Sequence, residues 1–219
     1  MRHKTGFLEL HLDASGFLTL GDRARIAGGS ATARELLIAA VDGGKVFELE
    51  NHSHSPNVAF AQIKLARMTE DFLSKARIEV WRLQLDFADF TQLRGSQEAL
   101  AAFDLGINVL HELGHGVLNL RDTSDPTQPG ACEQRINRIR RELGLPERQS
   151  YTARGRLVVM PGEQVATIRS ELIFVRVERG RDRAGGGQSY LTWEAEKVAS
   201  AAQAESPHRG RTTMVAAAK

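Results

Sequence analysis

The sequence contains a single cysteine, Cys132, which excludes an intrachain disulfide bond. It also lacks any apolar run of the roughly 18 residues that a membrane-spanning helix needs. The N-terminal segment carries polar residues where a secretory signal peptide has an unbroken apolar core. These absences predict a soluble protein with no membrane partner, and they fit a reducing compartment such as the cytoplasm.

A strong charge of either sign is absent as well. The chain has 29 basic and 27 acidic residues, which leave a formal net charge of +2 over 219 residues. This balance is typical of an ordinary globular domain and does not favour a nucleic-acid partner. Arginines cluster in Arg135–Arg141 and Arg176–Arg183, and a helix face and a strand with its turn explain both clusters. The composition leaves the oligomeric state open.

Hydrophobic periodicity and turn residues predict an α+β fold. The predicted helices are Ser30–Val41, Ser96–Leu120 with a break at Gly106, and Ala131–Leu143. The predicted strands are two short ones within Phe7–Leu20, then Lys45–Glu50, Val58–Leu65, Ala76–Phe90, Tyr151–Met160, Gln164–Glu178 and Gln188–Val198. We expect one main domain over residues 1–147, a C-terminal β extension of that domain over 148–199, and a disordered tail over 200–219.

The most informative stretch is Gly106–Asp122, which contains an H-E-x-x-H pattern from His111 to His115. Residues four apart lie on one face of a helix, so both imidazoles can bind the same metal ion. Zinc is the usual ion at such a pair, and a catalytic zinc needs a third protein ligand and one open position. Three acidic residues downstream are candidates for that ligand: Glu133, Asp122 and Asp125.

The HELGH motif, followed by Glu133 on a second helix, resembles the gluzincin zinc peptidases, the thermolysin-like group. The resemblance covers roughly residues 96–145 and implies one zinc ion bound by His111, His115 and Glu133. In that family an aspartate four residues after the ligand glutamate often orients a ligand histidine, and Asn137 stands at that position here. The implied fold is zincin-like, with a mixed sheet packed on the HExxH helix and a second ligand helix, followed by C-terminal strands.

The metzincin peptidases are the competing comparison, with the pattern H-E-x-x-H-x-x-G-x-x-H. Here Leu118 stands at the glycine position and Arg121 at the third histidine position. An arginine has no lone pair to offer a zinc ion, so the gluzincin-like interpretation is preferred. The layout before the motif is also similar to that of bacterial effector or toxin peptidase domains.

The resemblance implies a metalloendopeptidase that acts on a peptide or protein substrate. Zinc would lower the pKa of its bound water, and Glu112 would serve as the general base. Tyr151 is the candidate for stabilising the transition state, with Tyr190, an arginine and His208 as alternatives. The strand Ala76–Phe90 is expected to offer an edge for an extended peptide. A non-catalytic zinc-binding module and an effector or toxin domain of a larger protein remain alternatives.

Overall fold

The computed structural model describes residues 1–55, 57, 59–125, 127–150, 153–159, 166–176, 187–194 and 214–216. Within these residues the chain is α+β, with mixed sheets. The helices are α1 (Arg2–Thr5), α2 (Ala31–Asp42), α3 (Phe87–Gln92), α4 (Gln97–Ala102), α5 (Leu105–Leu118) and α6 (Ala131–Glu142). The strands are β1 (His11–Leu12), β2 (Leu18–Thr19), β3 (Val46–Asn51), β4 (Ala61–Glu70), β5 (Arg77–Leu85), β6 (Arg94–Gly95), β7 (Glu147–Arg148), β8 (Arg154–Val159), β9 (Ala166–Val175), β10 (Gln188–Glu194) and β11 (Met214–Ala216).

A four-stranded mixed sheet lies beside the HExxH helix, in the order β11-β3-β5-β4. Strands β3 and β5 are parallel, whereas β4 and β11 run antiparallel to their neighbours. The prediction that Ala76–Phe90 forms the edge is wrong, because β5 pairs on both sides and β4 is the edge strand. The predicted strand is also too long, since Asp86 caps helix α3 by accepting the N–H of Asp89.

The main core lies between this sheet and three helices. Helix α5 packs on β4 and β5, and α2 and α6 pack against α5. Each element contributes apolar side chains at the spacing that its sequence pattern predicts. The fully or nearly fully buried members include Phe7, Leu36, Leu37, Phe47, Ile107, Leu110, Ile136 and Ile139. The core therefore holds α5, which carries the histidine pair, between the sheet and two other helices.

Gly116 permits the close approach of α5 to the sheet. A Cβ atom at this position would lie 2.8 Å from Ile63 Cδ1 and from Phe47 Cε1.

We expect Gly116→Ala to lower the free energy of unfolding by about 1 kcal/mol, because a crowding cost of about 1–3 kcal/mol outweighs the helix propensity of alanine. Urea denaturation measures this change. Gly106→Ala on the same helix is the control, since its Cβ meets only ordinary contacts at 3.4 Å or more; equal losses in both variants would contradict the crowding argument.

The predicted helix Ser96–Leu120 is two helices, and the break comes before Gly106. Helix α4 ends at Ala102, and Asp104 begins α5 by accepting the backbone N–H of Ile107 at 2.9 Å. Aspartate is a strong N-cap residue because its carboxylate satisfies an otherwise unbonded N–H of the first turn. The cap therefore defines where α5 starts.

The second large sheet has the order β6-β10-β9-β7, with β8 also paired to β9. Short strands β6 and β7 come from the segment that precedes the C-terminal strands. A second apolar cluster joins Phe60 and Phe103 to Leu172, Phe174 and Leu191, so the C-terminal strands share a core with earlier parts of the chain. Of the tail predicted to be disordered, the structure describes only β11, which pairs with β3; the rest of that prediction lies outside the described residues.

None of the described helices combines the length and the apolar character that crossing a lipid bilayer requires.

Glu142 joins the end of α6 to the start of α2. Its carboxylate accepts hydrogen bonds from the Ser30 hydroxyl at 2.6 Å and from the Thr32 hydroxyl at 2.7 Å and N–H at 3.0 Å. Burial alone would raise the pKa of Glu142, but these bonds and Arg138 lower it from 4.5 to about 2. Because the folded pKa lies below the unfolded one, the stability that Glu142 contributes is present above about pH 4.5 and is lost as the pH falls towards 2.

We therefore expect Glu142→Gln to lower the free energy of unfolding by roughly 1–3 kcal/mol at neutral pH and by progressively less below pH 4.5. Denaturant titrations across this pH range measure the difference from wild type. The control is Glu35→Gln, because Glu35 is largely exposed and its pair with Arg135 contributes little. A Glu142→Gln difference that does not change with pH would contradict the linkage.

Candidate metal centre

The histidine pair occupies the last turns of α5, directly before a sharp reversal of the chain. Asn119 ends the helix in the left-handed conformation, at φ 52°, and its N–H bonds back to the carbonyls of Gly114 and His115. Asparagine adopts this conformation more readily than most residues. The reversal brings Leu120 and Asp122 of the following loop back to the histidines.

The two imidazoles converge through their Nε2 atoms. His111 Nε2 lies 3.1 Å from His115 Nε2, and the ring centroids are 4.8 Å apart. Two nitrogens that bind one tetrahedral zinc ion at about 2.0–2.1 Å stand roughly 3.3 Å apart. The observed separation is therefore close to the one that a shared metal ion requires.

The opposite nitrogen of each ring faces a hydrogen-bond acceptor. His115 Nδ1 lies 2.6 Å from the carbonyl oxygen of Leu120, and since a carbonyl can only accept, the hydrogen is on Nδ1. His111 Nδ1 lies 3.4 Å from the Glu133 carboxylate. Acceptors at Nδ1 favour the tautomer whose Nε2 lone pair is directed at a metal.

Asp122 is the acidic residue that the loop brings to the converging nitrogens. Its two carboxylate oxygens lie 3.4 Å from His111 Nε2 and 3.4 Å from His115 Nε2. Asp125, the other loop candidate, is exposed, and its carboxylate accepts bonds from the N–H and hydroxyl of Thr127. Of the two loop carboxylates, Asp122 is therefore the one placed to bind a metal between the histidines.

Cys132 brings a sulfur atom to the same place from the first turn of α6. Its ligand atom and those of His111 and His115 all lie within 4.8 Å of one another. The thiol is fully buried and lies 3.2 Å from the backbone carbonyl oxygen of His111. Cys132 was not among the ligands predicted from the sequence. Its position directly before Glu133 was the available signal.

Glu133 is fully buried and bound by two arginines. Its carboxylate forms ion pairs with Arg140 and, at 3.0 Å, with Arg148. Burial alone would raise the pKa of Glu133, but the two guanidinium groups hold it at about 2. Glu133 thus lies beside Nδ1 of His111, away from the point where the Nε2 atoms meet, as an orienting carboxylate does.

Asn137 takes part in the same buried network. Its amide oxygen accepts bonds from Arg140 at 2.7 Å and from the Arg148 N–H at 2.8 Å, and its amide N–H₂ donates to the Arg148 carbonyl. These bonds position the arginines that hold Glu133. Asn137 therefore acts on His111 through Arg140 and Glu133.

Glu112 lies at the floor of an open groove of about 900 Å³. His115, Asp122 and the first residues of β4 also line this groove. Burial is the main cause that raises the pKa of Glu112, opposed by the nearby histidines and by a hydrogen bond from the Ile63 backbone. A carboxyl group beside a cation site can act first as a general base and then as a general acid, and burial favours its protonated form.

The surroundings of the histidine pair stabilise positive charge. Burial alone would lower the pKa of both imidazoles, but bonds to Asp122 and Cys132 raise it to about 10 for His111 and about 11 for His115. Burial alone would likewise raise the pKa of the Cys132 thiol, but the two histidines lower it. The thiol and the nearby carboxylates thus provide the negative charge that a divalent cation needs.

Tyr151, the predicted transition-state stabiliser, and the alternative His208 lie outside the described residues. Tyr190, the other tyrosine, donates to Gln188 on its own strand. Arg121 and Asn119 line the groove with Glu112, and both carry N–H donors.

Comparison with protein-family models, with curated proteins and with solved structures found no significant match to this chain.

Proposed function

We propose that the protein is a zinc-dependent peptidase with Glu112 as its general base. One observation carries this proposal: the Nε2 atoms of His111 and His115 meet at 3.1 Å, next to a buried glutamate in an open groove. The zincin resemblance of the HELGH motif supports it. The groove is large enough for a segment of a peptide substrate.

The residues at the site fit one zinc ion. His111 and His115 supply nitrogens at a separation suited to tetrahedral binding, and Asp122 and Cys132 supply the candidates for the third ligand. Glu133, the third ligand implied by the resemblance, is better suited to orient His111, because both of its oxygens are bound by arginines. A bound zinc ion supplies Lewis acidity, which polarises a carbonyl and acidifies water.

Glu112 carries the proton-transfer step. Its carboxylate faces the groove beside His115. The first residues of β4 line the same groove. When ionised it accepts a proton from the attacking water, and as an acid it returns a proton to the leaving amine. Burial raises its pKa, which favours the protonated form that returns the proton.

The edge strand β4 supports a peptide rather than a small-molecule substrate. In the part of the chain that the structure describes, no strand pairs with the outer edge of β4, and Ala61, Gln62 and Ile63 line the groove. An extended peptide can add to such an edge through backbone hydrogen bonds. This assigns to β4 the role that the family resemblance implied for Ala76–Phe90.

Metal content tests the proposal most directly. Protein purified with zinc is expected to hold one zinc ion per chain, and His111→Ala is expected to lose it, because removing one histidine destroys the shared site. Elemental analysis after dialysis measures both. His52→Ala is the matched control, since His52 directly follows strand β3 and bonds Glu50 and Gln84. Equal zinc in the His111→Ala and wild-type proteins would exclude this site.

A non-catalytic zinc module is the second candidate, and the gathering of four possible ligands favours it. If His111, His115, Asp122 and Cys132 all bind at once, the tetrahedral ion has no position for water. Such a protein would bind zinc and gain stability from it, but it would cleave no peptide. A peptide-library assay of the zinc-loaded protein distinguishes the two functions.

A further inference from the structure

Two side chains compete for the third ligand position, and they differ in how firmly they are held. Cys132 lies in the first turn of α6 with no exposed surface, and its sulfur packs against α5. A Cβ atom on Gly114 would lie 2.9 Å from this sulfur, so the glycine of HELGH makes room for it. The sulfur is thereby fixed beneath the histidine pair.

Asp122 is held much less firmly. It lies in the loop between α5 and α6, its side chain is 30% exposed, and it lines the groove. A substrate that enters the groove reaches Asp122 and His115, whereas Cys132 lies behind them. A ligand that gives way to substrate must be on the open side, and Asp122 meets that requirement.

We propose that the Cys132 thiolate is the third protein ligand of the metal ion and that Asp122 occupies the fourth, exchangeable position. Histidine nitrogen and cysteine thiolate are both common zinc ligands, and three protein ligands leave the fourth position of a catalytic site open to exchange. The thiolate also favours zinc or cobalt over magnesium and calcium, which prefer oxygen ligands. This inference rests on the proposed metal site and is independent of hydrolysis.

Cobalt(II) substitution tests the ligand set, because a cysteine thiolate bound to cobalt gives an intense near-ultraviolet charge-transfer band. Cys132 is the sole cysteine of the chain, so any such band belongs to it. Titration of the metal-stripped full chain with Co²⁺ is expected to produce the band up to one equivalent. Cys132→Ser is expected to abolish it and to weaken cobalt binding by more than about 100-fold, above the effect of losing an orienting partner. Asp122→Asn is expected to keep the band, as is the loop control Asp125→Asn.

The outcomes separate this inference from the peptidase proposal. A charge-transfer band in the wild type without peptide cleavage supports Cys132 as a ligand and excludes the peptidase function. Bound cobalt that shows visible absorption without the charge-transfer band overturns the cysteine ligand and leaves Asp122 as the third ligand. Absence of cobalt binding overturns both. The wild-type spectrum decides these cases even if Cys132→Ser fails to fold.

Discussion

Glu112→Gln is expected to lower kcat for peptide hydrolysis by about 10²–10⁴-fold, the contribution that a positioned general base makes. Glutamine keeps the size of the side chain and can still accept the hydrogen bond from the Ile63 backbone, but it cannot take a proton from water. Zinc content should stay at the wild-type level, because Glu112 is not among the converging ligand atoms. Steady-state kinetics on a fluorogenic peptide, with metal analysis of the same samples, measures both effects.

Glu98→Gln is the matched control, since Glu98 is an exposed glutamate on α4 that pairs with Arg176. It should leave kcat unchanged. In the wild type, activity should fall as the pH drops below the pKa of Glu112, which lies above its ordinary 4.5. Full activity in Glu112→Gln would show that another group takes the proton.

Arg140→Met is expected to cost about 3–5 kcal/mol of the free energy of unfolding, the usual effect of breaking a buried ion pair. Arg140 is only 1% exposed, and its guanidinium bonds Glu133, Asn137 and the carbonyl oxygen of Ala102. Without Arg140, the fully buried Glu133 keeps its ion pair with Arg148 but loses the other one. Because Glu133 orients His111, metal affinity should also fall, by about 10–100-fold.

Arg141→Met on the same helix is the control. Arg141 is 61% exposed and pairs with Glu147, so its loss should cost at most about 1 kcal/mol. The double variant Glu133→Leu with Arg140→Met should recover part of the stability, because it removes the charge that Arg140 neutralised. Equal losses from Arg140→Met and Arg141→Met in denaturant titrations would contradict the buried-network account.

Local pattern predicted the elements that carry the site. The helical spacing of HELGH, the helix around Ala131–Leu143 and most of the strands follow from interactions between residues close in sequence. Two boundaries differ from the predicted ones because a local cap overrode the periodicity. Asp86 ends β5 before the predicted strand stops, and Asp104 places the break in the predicted helix two residues before Gly106.

The arrangement around the histidines could not be predicted in the same way, because it depends on residues far apart in the chain. Only the folded chain shows that β4, rather than β5, forms the sheet edge at the groove. Likewise, the packing of α6 on α5 places the Cys132 sulfur below Gly114 and turns Glu133 towards Nδ1 of His111.

The sequence by itself determined a helix that places His111 and His115 on one face, with Glu112 directly after His111. It could do so because the 3.6-residue period of a helix is a local property. The tertiary structure decided which groups face each imidazole nitrogen. That choice depends on a buried charge: Glu133 needs Arg140 and Arg148 to remain ionised in the core, and those two arginines hold it behind His111. The point where the Nε2 atoms meet is thereby left to Asp122 and Cys132.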